Sequence, residues 1–263
     1  MGLTLPRQTQ AIDEDKADSV TIAGEIGFAV VVPAFNEAPN LKTLVPEIFT
    51  AVEGLGPCQV CVVDDASTDE TEAVLARLQA RYANLLVTTH GERSGQSRGI
   101  WSGLRASEGR WVVTLDGDGQ NDPADIPRLL EVARADESGR LGLVQGLRTK
   151  RRDPLSKRLA SRFANGLRAW LLKDGCPDSG CGLKVVRRDL YEALPYFDSR
   201  HRYIPALIRG WGWEAIYLPV NHRERLAGVS KYTNWRRGLV GVVDLAGVIW
   251  LLRRTKQPLV RPR

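Results

Sequence analysis

At 263 residues, 43% hydrophobic and 26% charged, the chain has the composition of a folded globular protein, with room for one large α/β domain or two small ones. Its net charge of +6 favours an anionic partner: nucleic acid, a phosphorylated substrate or an anionic membrane face. No stretch reaches the roughly 18–20 uninterrupted apolar residues of a membrane-spanning helix; the nearest, GLVGVVDLAGVIWLL (238–252), is interrupted by Asp244.

Residues 1–24 carry polar and acidic stretches such as AIDEDKADS, with no basic region leading into an apolar core. No signal peptide is expected, and the segment reads as a mobile tail. Short Val-rich runs come next: GFAVVVPAF (27–35), QVCVVD (59–64), NLLVTT (84–89) and RWVVTLD (110–116) predict buried strands. Helix-like segments at 38–54, 69–82 and about 97–108 lie between them, the second with Ser67, Thr68 or Asp69 as candidate caps. This alternation predicts βαβ units and a mostly parallel sheet flanked by helices, in which ligands bind at the carboxyl ends of the strands. GLVQGL (142–147), LKVVRR (183–188) and WEAIYLPV (213–220) predict further strands, and the basic stretch RTKRRDPLSKR (148–158) leads into a helix. Segment 234–253 sets Trp235, Leu239, Val242, Val243, Ala246, Ile249 and Trp250 at helical spacing. No linker divides the chain, so one α/β domain is expected over 25–233, followed by an apolar helix and basic tail at 234–263.

The four cysteines form two loose pairs, Cys58/Cys61 and Cys176/Cys181. The second pair has the wrong spacing for zinc, and Cys58 and Cys61 lie on a strand, where positions three apart point to opposite faces. They read as reduced thiols of a cytosolic protein. The histidines, His90, His201 and His222, are scattered and read as structural or surface residues.

The chemistry gathers in three polar loops at strand ends: Pro33–Glu37, Asp64–Asp69 and Asp116–Asp122. In VTLDGDGQNDPADIP (113–127), Asp116, Asp118, Asp122 and Asp125 crowd together, and like charges so close need a reason. Asp122 and Asp125 fit the start of a helix, with Pro123 at its first position. Asp116 and Asp118 end a buried strand, and with the amide oxygen of Gln120 make an all-oxygen donor set suited to Mg²⁺ or Mn²⁺. Asp64 or Asp65 can accept a hydrogen bond from a nucleobase or ribose. Neither GxGxxG nor GxxxxGK[ST] is present, which argues against an NAD enzyme and a standard ATPase. A nucleotide diphosphate held by carboxylates and a divalent ion remains, the arrangement expected of a nucleotide-sugar transferase.

VVPAFNE (31–37), VVDDASTDET (62–71), GQSRGIWSGL (95–104), LDGDGQNDP (115–123) and SGCGLK (179–184) together resemble, in order, the family 2 glycosyltransferases of GT-A fold. RLAGVSKY (225–232) resembles the R-x-x-G-x-S-K-[YF] segment of the dolichol-phosphate mannosyltransferase group and its bacterial polyprenyl-phosphate relatives. The resemblance covers roughly 27–235 and implies roles position by position. Pro33, Phe35 and Glu37 would line the nucleotide pocket, with Asp64 or Asp65 on the base or ribose. Asp116, Asp118 and Gln120 would hold the metal against the diphosphate. Arg148, Lys157, Arg158 and Ser161 would cradle the acceptor phosphate, and Arg225, Ser230 and Lys231 would close over the donor phosphates. Where the family often has Gly-Lys-Gly, this chain has Gly95-Gln96-Ser97, a form similar to that of bacterial undecaprenyl-phosphate transferases that use UDP-sugars. Both UDP- and GDP-linked donors therefore stay open, with Gln96 beside the donor. Those relatives commonly carry membrane-spanning helices after the catalytic domain, so this chain is expected to reach its lipid differently.

The implied reaction is transfer of a sugar to a polyprenyl phosphate with inversion, making a lipid-linked sugar for envelope glycan or lipopolysaccharide modification. The acceptor phosphate is already ionised near neutral pH and needs alignment by cations rather than a strong base. A hydroxyl acceptor on a glycan or small molecule would need a base, and Asp178 in PDSGCG is the candidate. A nucleic-acid-binding protein would use the basic run at 148–158 but leaves the carboxylates unexplained. Segment 234–253 is expected either in the membrane interface, its cations near anionic headgroups, or docked on the protein's own core or on a second copy. Localisation is expected to be cytoplasmic, peripheral to the inner face of the cell membrane.

Overall fold

The structure, a computed structural model, describes residues 26–148, 166, 168–224 and 234–255. Among the described residues seven strands form one sheet: β1 (Phe28–Ala34), β2 (Cys58–Asp64), β3 (Leu85–Thr89), β4 (Trp111–Thr114), β5 (Leu141–Arg148), β6 (Lys184–Arg187) and β7 (Glu214–Val220), in the order β3-β2-β1-β4-β6-β5-β7. Each coincides with a run expected from the sequence. Pairing is parallel except at β6, which runs antiparallel to both β4 and β5.

Helices described over their whole length are α1 (Ala38–Val52), α2 (Thr71–Arg81), α3 (Gln96–Ala106), α4 (Ile126–Arg134), α5 (Arg188–Ala193), α6 (Ile204–Gly210) and α7 (Asn234–Arg254), and residues 168–172 are helical too. Of the helices expected between the first four strands, two begin away from their expected positions for local reasons. At α2, Asp69 Oδ1 accepts the amide of Thr71 at 3.0 Å and its hydroxyl at 2.5 Å, so the helix starts at Thr71 rather than 69. At α3, Gly95 holds a left-handed φ of 87° that turns the chain abruptly into Gln96.

Alternation along the strands divides the core between the two faces of the sheet. Phe28, Val30 and Val32 of β1 pack with Leu41, Leu44 and Ile48 of α1, Leu75 of α2 and Leu129 of α4. Val31 and Val63 face the other way, onto Ile100 and Leu104 of α3 and the α6 residues Ile204, Leu207 and Ile208. Cys58 belongs to the first layer and Cys61 to the second, as expected for strand positions three apart. All four cysteines are buried and unbridged, and burial pushes the thiols of Cys61 and Cys181 up to about 11, so they stay protonated and inert.

On α7, Val248 is buried in the second layer, with Leu245, Ile249 and Leu252 packed around it. Val242, Val243 and Trp250 point the other way and are exposed, so the helix docks on the core by one stripe and leaves an apolar stripe bare. No described helix is long and apolar enough to cross a membrane.

Candidate active site

Parallel β1, β2 and β4 bring their carboxyl ends to one edge, with the strand order reversing direction between β1 and β4. The loops at 33–37, 64–69 and 116–122 therefore converge as expected, at the place where such sheets bind ligands. The antiparallel β6 adds a contributor that the sequence pattern did not indicate. Thr114 pairs with Lys184, and Gln145 pairs with the same lysine, so the segment preceding β6 lies beside the ends of β4 and β5.

Asp116 is the centre of this edge. Its amide donates to Asn121 Oδ1 at 3.1 Å, and its carboxylate takes the Gln96 amide at 2.6 Å. Its carboxylate lies directly over the backbone of Gly182, where any Cβ would come within 2.4 Å of Oδ2. Burial and the neighbouring charge of Asp118 push the Asp116 carboxyl up to about 6, against the pull of Lys184, Arg148 and the Gln96 hydrogen bond. Asp118 Oδ1 accepts the amide of Gln120 at 3.1 Å, and the Gln120 carbonyl accepts the amide of Arg223 at 2.9 Å. The turn is thus fixed from both ends. Among the described residues no cluster of three or more His, Cys, Asp and Glu side chains is arranged to enclose a metal ion. The donor set fits a hard cation all the same: the cost that burial and the charge of Asp118 impose on an ionised Asp116 would be relieved by one, and its other ligands would come from a bound diphosphate.

Across Gly180 and Gly182 stands an ion pair between Arg148, expected on the acceptor phosphate, and Asp178, the candidate base for a hydroxyl acceptor. Arg148, at the end of β5, donates from Nε to Asp178 Oδ2 at 2.7 Å and from Nη2 to Oδ1 at 2.6 Å. Asp178 is a buried anchor for this guanidinium, with its backbone carbonyl accepting from Gln145 at 2.7 Å. Burial opposes the charge on Arg148, but Asp178, Cys181 and Asp116 outweigh it and raise its pKa. Lys184 is buried behind them, donating to the Cys181 carbonyl. Burial lowers its pKa, opposed by Cys181 and Asp116.

At the other end, Pro33 is buried in β1 and Phe35 lies under the Arg93 guanidinium, 4.0 Å from the ring centroid. Glu37 accepts from the Asn40 side chain at 2.5 Å. Asp64 Oδ1 accepts the Ser67 amide at 3.0 Å. Asp65 takes three bonds: His90 Nδ1 at 2.7 Å, the Ser94 amide at 2.8 Å and the Gly95 amide at 2.8 Å. Burial raises the Asp65 pKa, but those bonds outweigh it and the net displacement is downward. Asp122 accepts the Ala124 amide at 3.0 Å and caps a short 3-10 turn over Pro123–Asp125 ahead of α4, the helix-start role expected of it. It also pairs with Arg223 at 2.5 Å.

Lys157, Arg158, Ser161, Arg225, Ser230 and Lys231 lie outside the described residues. Sequence reasoning missed three groups that the fold brings to this edge: Lys184, Arg93 and His90. Lys184 sits in the SGCGLK motif, and burial of a lysine is invisible to a motif. His90 directly succeeds β3, and that position is signal enough to place it at the same edge as the acidic loops.

This sheet is shared with solved structures. A mannosyltransferase from Pyrobaculum calidifontis in complex with GDP-Man and Mn²⁺ matches 90% of this chain and 67% of its own, at 24% identity and a TM-score of 0.65. Glucosyl-3-phosphoglycerate synthase from Mycobacterium tuberculosis, in complex with Mn²⁺, UDP and phosphoglyceric acid, matches 88% of this chain and 80% of its own, at 21% identity and a TM-score of 0.66. The fold is that of the GT-A glycosyltransferases.

Residues 29–194 match the family described as Glycosyl transferase family 2, and the chain belongs to it. Among curated relatives, the undecaprenyl-phosphate 4-deoxy-4-formamido-L-arabinose transferases of Sodalis glossinidius (strain morsitans) and Enterobacter sp. (strain 638) are 34% and 35% identical over 207 and 210 residues. Those alignments cover 78% and 79% of this chain but 62% and 63% of the relatives, so the chain spans less than two thirds of their length.

Proposed function

We propose that this glycosyltransferase moves a sugar from a UDP- or GDP-sugar to a polyprenyl phosphate with inversion at the anomeric carbon, assisted by Mg²⁺ or Mn²⁺. The observation that carries the reading is the juxtaposition of the Asp116/Asp118 carboxylate pair with the Arg148 guanidinium across Gly180 and Gly182. One centre suits a metal-bound diphosphate, and the other suits an anionic acceptor. The identity to undecaprenyl-phosphate transferases supports the lipid acceptor.

Asp116, Asp118 and Gln120 would hold the divalent ion, which when bound supplies Lewis-acid stabilisation of the departing diphosphate. Pro33, Phe35 and Glu37 bound the nucleotide end, with Gln96 between it and Asp116. Arg148 aligns the acceptor phosphate and offsets its repulsion from the donor; the motif resemblance would add Lys157, Arg158 and Ser161 to that phosphate and Arg225, Ser230 and Lys231 to those of the donor. A phosphate needs no base to attack, and Asp178, held at two points by Arg148, serves as the anchor of that cation.

The test is to incubate the protein with Mn²⁺, undecaprenyl phosphate and a panel of UDP- and GDP-sugars. One donor is expected to yield a lipid-linked product. Turnover on a hydroxyl acceptor alone would replace this reading with the glycan or small-molecule one, and would return Asp178 to the role of base.

The bare stripe of Val242, Val243 and Trp250, with Arg253 and Arg254 just beyond it, supports peripheral attachment to the anionic inner face of the cell membrane. Because Val248 anchors α7 to the core, the informative variant replaces Val242, Val243 and Trp250 with Ser rather than deleting the helix. Loss of sedimentation with anionic liposomes is expected. Unchanged sedimentation, with dissociation of a dimer instead, would assign the stripe to a second copy.

A further inference from the structure

We propose that His90 is a positioning residue of the donor site, fixing Asp65 and through it the loop 90–95 that sets Arg93 over Phe35 and Gln96 against Asp116. The inference rests on the nucleotide-sugar reading and goes beyond it by assigning a residue to the upkeep of that site.

His90 is held in every direction. Its amide donates to the Asp64 carbonyl at 2.9 Å, Nδ1 lies 2.7 Å from Asp65 Oδ1, and Nε2 lies 2.8 Å from Ser102 Oγ. The His90 side chain is 13% exposed and that of Asp65 6%. An ionised carboxylate only accepts, so Nδ1 carries the proton; in the neutral ring Nε2 then accepts from the Ser102 hydroxyl. The same carboxylate takes the Ser94 and Gly95 amides, and the Asp65 amide donates to the Ala34 carbonyl at 2.8 Å, tying it to the end of β1. Asp65 therefore closes the loop at both ends, with His90 at the first residue and Ser94 and Gly95 at the last two.

Beyond Gly95 the chain reaches the reacting end of the site. The left-handed turn at Gly95 launches α3, and its first residue, Gln96, donates to Asp116 at 2.6 Å. Within the loop Arg93 covers Phe35 at 4.0 Å. One imidazole thus stands behind both the aromatic wall of the nucleotide pocket and a contact to the metal-binding carboxylate.

Asp65, His90 and Ser102 also stand in the order of an acid–base–nucleophile series. Ser102 lies well inside α3, where backbone amides are committed to the helix and leave no donors for an oxyanion. The geometry is that of a brace.

Asparagine and glutamine separate the two bonds, because the Asn amide nitrogen falls near Nδ1 and that of Gln near Nε2. The experiment measures UDP and GDP binding with Mn²⁺ by calorimetry, and donor and acceptor KM, for the full chain and for His90→Ala, His90→Asn and His90→Gln. His90→Ala is expected to weaken nucleotide binding and raise donor KM about tenfold, with His90→Asn within about twofold of the parent, His90→Gln as weak as alanine, and acceptor KM unmoved. A merely structural histidine would not distinguish Asn from Gln, so equal effects of the two overturn the proposal, as does unchanged nucleotide affinity in His90→Gln. A parent protein that binds neither nucleotide would instead bring down the donor reading itself.

Discussion

Gly182→Ala tests whether Asp116 is where the chemistry happens. An added Cβ would lie 2.4 Å from Asp116 Oδ2, 2.5 Å from Cγ and 2.6 Å from Oδ1, whereas ordinary contact begins near 3.4 Å. The carboxylate must retreat by about 1 Å, and as the far end of a side chain it can do so without moving the sheet. Gly182 itself has no left-handed φ, so alanine fits its backbone. The retreat breaks the 2.6 Å bond from Gln96, a loss of about 1 kcal/mol that is partly offset as the carboxylate gains solvent. Stability should therefore change little. A misplacement of about 1 Å in a reacting site costs on the order of a hundredfold in rate, and that is the fall expected in transfer at fixed Mn²⁺. Initial rates on purified protein, with melting monitored by fluorescence, measure both quantities. A variant that melts with the parent and transfers at the parental rate would refute the placement of Asp116 at the reacting centre.

Three further predictions separate chemistry from packing. Gly103→Ala brings its Cβ to 2.4 Å from Val31 Cγ1 and 3.0 Å from Val63 Cγ2, both on buried strands. Overpacking there should cost about 1–3 kcal/mol, seen as a fall in Tm of roughly 2–4 °C per kcal/mol, with transfer per folded molecule retained; an unchanged Tm would count against close helix–sheet contact. Asp118→Ala should lower transfer by about a hundredfold or more without changing the far-UV spectrum, and full activity of that variant in EDTA would remove the metal role. Asp116→Asn should raise Tm of metal-free protein at pH 8 and leave it unmoved at pH 4. The reason is one of sign: the folded pKa of about 6 lies above the ordinary carboxylate value, so the favourable contribution of the protonated group is lost as pH rises through 6. A lower Tm of Asp116→Asn at pH 8 would show that the carboxylate is not strained by burial.

Much of this was legible in the sequence because β1, β2 and β4, buried on both faces, announce themselves as short Val-rich runs, whereas β3, expected to be buried like them, is only partly so. All seven were placed, and with them the loops after β1, β2 and β4. The reading of Asp122 as a helix-start residue also holds, since proline at the next position leaves few alternatives. Direction and partnership stayed hidden. VVRR in 184–188 reads the same whether β6 runs up or down, because alternation carries no polarity. Asp178 offered itself as the base that a hydroxyl acceptor would need, and only the fold shows that Arg148, thirty positions earlier, claims both its oxygens. The position of His90 after β3 marks its edge but not its task, because the character of a histidine lies in its neighbours, and Asp65 and Ser102 are 25 and 12 residues away.

The reversed strand explains how one edge could hold both halves of the proposed transfer. In a wholly parallel sheet, only the residues after each strand reach the ligand edge. Because β6 is antiparallel to β4 and β5, its preceding segment arrives there instead, laying Gly182 under Asp116 and Asp178 against Arg148. β7 returns parallel to β5, with Arg148 opposite Val220, and an antiparallel bridge from His222 to Asn121 carries the chain back over the carboxylate loop. Carboxylates from the parallel half and the guanidinium at the end of β5 are thereby packed around two glycines. Their charges are mutually felt: Asp118 raises the Asp116 carboxyl while Arg148 and Lys184 lower it, and Asp116 in turn raises Arg148. An arrangement that keeps an anion site and a cation site this close, separated only by backbone, suits a reaction in which two phosphates must meet without repelling each other.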